Sequence, residues 1–83
     1  MSGTIMGFPV AEVLEAEKVH ARLVNATGRA DVAEILRGVS YGAFRFLDEK
    51  PGYFPGNYSA EPWFAWMRQL RNDPTSDLFD HLT

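Results

Sequence analysis

Apolar and polar positions alternate along most of this chain with a helical rather than a strand period. Val10, Val13, Leu14, Ala21 and Val24 fall on one face at helical spacing, with Glu17 as the one polar interruption. Ala16, Val19 and Leu23 widen that stripe, and Glu12, Glu15, Lys18 and Arg22 take the opposite side. Acids stand early and a base late, as the helix macrodipole favours. The pattern predicts an amphipathic helix over about 9–26, with Pro9 in its first turn and a glycine stop near Gly28. Residues 1–8 carry two glycines and little pattern, and are expected to be a loose end.

Asp31 suits the N-cap of a short helix over 32–37, with Glu34 at its third position and Gly38 breaking it. Ser40 can cap a third helix over 41–49. There Phe44 and Leu47 face inward, while Arg45, Asp48 and Glu49 face out. The run from Val39 to Leu47 is also rich in strand formers, so a small hairpin at 39–55 is the alternative. Two Pro-Gly pairs make residues 50–58 a loop. Ser59 is the expected cap of a fourth helix, with Glu61 and Pro62 in its first turn. Trp63, Trp66, Met67 and Leu70 share one of its faces, with Arg68 and Arg71 opposite. Asn72-Asp73-Pro74 stops it. A last short helix is expected around Leu78, Phe79 and Leu82, capped by Thr75 or Ser76. The expected fold is therefore all-α: a flexible 1–8, then one domain of four to five short helices over 9–83.

Nine of the eleven aromatic residues lie between Tyr41 and Trp66. A chain of 83 residues has a thin core, and large rings help to fill it. Nine rings exceed what one thin core needs, and Tyr53, Phe54 and Tyr58 stand in the expected loop. Tyr, Trp and Arg are also the residues that carry interface hot spots. Helical spacing sends Phe44, Trp63 and Trp66 inside. It leaves Tyr53, Phe54 and Tyr58, joined by Arg68 and Arg71, as the candidate contact surface for a protein partner or a second copy.

Composition narrows the function classes. There is no cysteine, so disulfides and thiolate chemistry are excluded. No apolar run approaches the ~20 residues that span a bilayer, and the first ten residues do not read as a secretory signal. A cytoplasmic protein is expected. The net charge of −3 is spread along the chain, which gives counterion-release binding to nucleic acid little to work with.

Several short patterns carry chemistry elsewhere. Gly38-Val39-Ser40-Tyr41-Gly42 matches the G-x-S-x-G nucleophile elbow, but the elbow needs a strand before it, and 31–37 reads as helix. Glu17 with His20, and Asp77 with His81, have the spacing of paired metal ligands on a helix. Only the first is a Glu-x-x-His pair, and no metal or cofactor is expected. Arg68 and Arg71 beside Trp63 and Trp66 could form a stacking platform for a single strand, or simply the solvated side of an amphipathic helix.

Two resemblances extend the reading. Asp31-Val-Ala-Glu-Ile-Leu-Arg-Gly-Val-Ser-Tyr41 resembles the first helix and turn of the lactose-repressor-type headpiece, which implies a helix-turn-helix DNA-binding regulator through 31–49. Ala33 and Gly38 are five apart where that family has four, and 41–47 offers a recognition helix one arginine. Phe64-x-Trp66-Met67…Asn72-Asp73-Pro74-x-x-Asp77-Leu78 resembles the opening of a family of small bacterial SAM-like helical domains, and implies no particular activity.

The residues favour the binding class: a small bacterial or phage protein that docks on another protein, as an accessory subunit, an antitoxin-like regulator or an inhibitor. The DNA-binding regulator is the alternative. An enzyme is not expected, because two separated histidines and one capping serine form no constellation.

Overall fold

In the computed structural model, which describes residues 3–73, the chain is mostly helical with one small antiparallel hairpin. Strand β1 (Thr4–Ile5) pairs with β2 (Phe8–Pro9), Ile5 opposite Phe8. Helices α1 (Val10–Leu23), α2 (Arg29–Leu36), α3 (Tyr41–Glu49) and α4 (Pro62–Asn72) follow, with one 3₁₀ turn at Tyr58–Ala60. The expected last helix lies outside the described residues.

The hairpin occupies the segment expected to be loose. Met6 and Gly7 both have positive φ (54° and 88°), the geometry of a tight two-residue turn whose twist matches the paired strands. Its purpose in the fold is Phe8, which is buried and meets Phe46 edge-on at 5.3 Å. The alternative hairpin at 39–55 is not formed, because 41–49 is helix.

Helix α1 buries one edge of the expected stripe and turns the other edge outward. Val13, Ala16, Val19 and Leu23 are buried, whereas Leu14 and Val24 are half exposed (51% and 52%). The cause is polar. Ser40 caps α3 by accepting from the Ala43 N–H, and Glu15 of α1 accepts both from the Ser40 N–H (3.0 Å) and from its hydroxyl (2.7 Å). Glu12 lies over Gly42, where a Cβ would overlap its carboxylate. Two acids of α1 thus face the N-terminus of α3, where the macrodipole favours negative charge. They are half buried rather than solvated.

Helix α2 begins three residues before the expected start. Gly28 is its N-cap position, and the Asp31 carboxylate reaches back to the Thr27 N–H (3.1 Å) from inside the first turn. Asp31 is therefore not the N-cap. Helix α1 ends earlier than expected, at Leu23, with the Asn25 side chain donating to the Ala21 carbonyl. Between α2 and α3, Arg37 (φ −63°, ψ 121°) and Gly38 (φ 86°) form a type II turn, closed by Val39 N–H to Leu36 C=O at 3.0 Å.

Helix α3 packs on α1, and α2 packs on α4. Phe46, Leu23, Leu36, Leu47, Met67, Val13 and Val32 form the fully buried centre.

Candidate functional site

The segment 50–61 is built by two successive Pro-Gly turns, as its composition leads one to expect. The Tyr53 N–H closes the first on Lys50 C=O (3.1 Å). The Asn57 N–H closes the second on Phe54 C=O (3.4 Å), with Gly56 at φ 93°. In the second turn, proline at the second position and a left-handed glycine at the third make the type II pattern. Asn57 then accepts from Ser59 N–H and from its hydroxyl, so Ser59 donates here and does not cap α4. Helix α4 starts at Pro62, whose missing N–H costs nothing at that position.

These turns fold two of the three loop rings inward. Phe54 and Tyr58 are 7% and 3% exposed, so they pack into the core rather than standing out as an exposed surface; Tyr53 is 39% exposed. The sequence offers a reason for Tyr58. The carbonyl of Leu47, in the last turn of α3, would meet the N–H of residue 51 in a continuing helix, and residue 51 is proline. The Tyr58 hydroxyl donates to that carbonyl instead, at 2.6 Å. Burial, with a smaller contribution from the charge of Asp48, pushes the phenol above its ordinary pKa of 10.

His20 of α1 completes the cluster. Its imidazole lies flat on Phe54 (centroids 4.5 Å apart, 6° between planes), near Tyr58 at 5.1 Å and edge-on to Trp63 at 5.9 Å. Burial lowers its pKa from 6.5, so the ring is neutral at pH 7. The Trp63 Nε1–H is buried and meets no protein acceptor among the described residues. A buried donor in that state costs on the order of 1–3 kcal/mol.

Beside this cluster opens a cleft of about 220 Å³, lined by His20, Val24, Pro55, Gly56, Tyr58 and Glu61. The wall is apolar on the Val24, Pro55 and Tyr58 side. Glu61 is its one carboxylate, and no hydrogen bond or ion pair engages it among the described residues. The volume is below the ~300–1,000 Å³ of sites for drug-sized molecules. It suits one large side chain.

The remaining expected site residues fall elsewhere. Arg68 donates to the Asp48 carboxylate (2.8 Å) and to the Asp48 carbonyl (3.2 Å), and its guanidinium covers the Phe64 ring at 4.4 Å. It clamps the end of α3 to α4. Arg71 is exposed in the last turn of α4. Trp63 is buried and unavailable as a stacking platform. On the outward side of α3, Arg45 is paired with Glu49 at 2.9 Å beside Asp48, which leaves that face little to offer a phosphate. The Ser40 hydroxyl is committed to Glu15 and Ala43, which accounts for the G-x-S-x-G spacing as a turn glycine, a cap and a close helix contact. Among the described residues no group of three or more acids and histidines could hold a metal. Nor is any helix among them long and apolar enough to cross a membrane.

Sequence reasoning singled out His20 and Tyr58 but missed Val24, Pro55, Gly56 and Glu61 as neighbours. A Pro-Gly turn facing a helix end leaves no periodic signal. No family model matches the chain, and neither a curated protein nor a solved structure matches it.

Proposed function

We propose that this protein is a binding module that docks on another protein, gripping one anchor side chain in the cleft between the end of α1 and the 55–61 segment. The observation that carries this reading is the cleft itself: a pocket of single-residue size with a mixed polar and apolar wall, beside exposed apolar residues of α1. Leu14 and Ala21 on the outer side of α1 and Val24 at its C-cap are all exposed, with Glu17 between the first two, and Val24 also lines the cleft. A pocket that fills with one side chain and excludes water around it is the geometry of an interface hot spot. Tyr53 contributes less, because its ring packs edge-on against Phe46 and Phe54 (5.0 and 5.2 Å). A binding role fits better than a catalytic one, since His20 has no nucleophile and no orienting carboxylate bonded to it among the described residues.

The test is site-specific photocrosslinking in cells. A photoreactive phenylalanine analogue at Val24 or Pro55 is expected to trap one discrete polypeptide, and the same group at exposed Arg37 is not. Excess wild-type protein should compete the adduct away, and excess Val24→Asp should not. Equal yields from all three positions would remove the cleft as the docking site.

A further inference from the structure

We draw no further inference here: the strongest candidate, the cleft between the end of α1 and the 55–61 segment, belongs to the site already described, and nothing in the structure shows what covers it.

Discussion

Removing one hydroxyl should show how much of the aromatic segment is structure. In Tyr58→Phe the ring stays and only the donor to the Leu47 carbonyl is lost. Pro51 cannot replace it, since residue 51 has no N–H. The carbonyl lies beneath a side chain that is 3% exposed, so water reaches it poorly. An orphaned buried acceptor costs roughly 1–3 kcal/mol. A chain of this length has on the order of 4–12 kcal/mol in total, so the loss is a sizeable fraction. It corresponds to a fall in Tm of roughly 4–24 °C. Urea unfolding followed by far-UV circular dichroism measures it, with an unchanged m-value showing that the folded state is as compact as before. Tyr53→Phe is the control, expected within about 0.5 kcal/mol of wild type because that ring is partly exposed. Alkaline pH adds a second reading. The folded phenol titrates above its unfolded value of 10, so its contribution is full below pH 10 and fades as pH rises beyond it. The gap between wild type and Tyr58→Phe should therefore close above pH 10. A Tyr58→Phe variant as stable as Tyr53→Phe at neutral pH would refute the capping role.

Other substitutions probe the rest of the frame. Ser40→Ala removes the cap of α3 and the partner of Glu15, and should cost about 1–2 kcal/mol in the same urea assay. A neutral result would show that Glu15 does not hold α1 against α3. Gly38→Ala forces a side chain to φ 86° and should cost about 1–2 kcal/mol, read as a lower Tm. Phe54→Ser should cost about 3–5 kcal/mol and Tyr53→Ser under about 1, an order that a loop with both rings on the surface would not produce. His20 has a folded pKa below 6.5, so the unfolded chain binds more protons as pH falls through 6.5, and stability drops there. His20→Gln should flatten that part of the stability–pH curve, and an unchanged slope would place the titration elsewhere.

The helical period of the sequence located α3 and α4 within a residue or two, because each has one clear apolar face and a plain punctuation: Ser40 before one, Pro62 and Asn72-Asp73 around the other. The Pro-Gly turns were equally plain. For α1 the broad apolar stripe is plain, but which edge of it is buried is not. Its Val, Ala and Leu residues surround the helix, so the apolar count does not choose a face. Glu12 and Glu15 chose it by turning toward α3, and that partnership depends on tertiary structure. The start of α2 was misread for a related reason. An aspartate reaching back from the first turn looks in sequence like one standing at the cap. The hairpin escaped notice because two-residue strands have no period, and its Met6-Gly7 turn lacks the usual Asn-Gly signature. Tyr53, Phe54 and Tyr58 looked alike in a Pro/Gly-rich loop. The missing N–H of Pro51 was the one clue that a hydroxyl was needed inside, and it points to Tyr58 only once the loop's path is known. The cleft itself joins residues 20–24 to 55–61, and no local pattern in the sequence marks a pairing over that distance.

The central functional claim is that contact is made at this cleft and not at the ring-and-arginine surface the sequence suggested. Hydrogen exchange of the protein, alone and with the polypeptide trapped from Val24, tests it most directly. The account predicts slowed exchange in the last turn of α1 and across 55–61, with Tyr53, Arg68 and Arg71 unchanged. Protection confined to Tyr53 and the α4 arginines, with 20–24 and 55–61 unaffected, would contradict it.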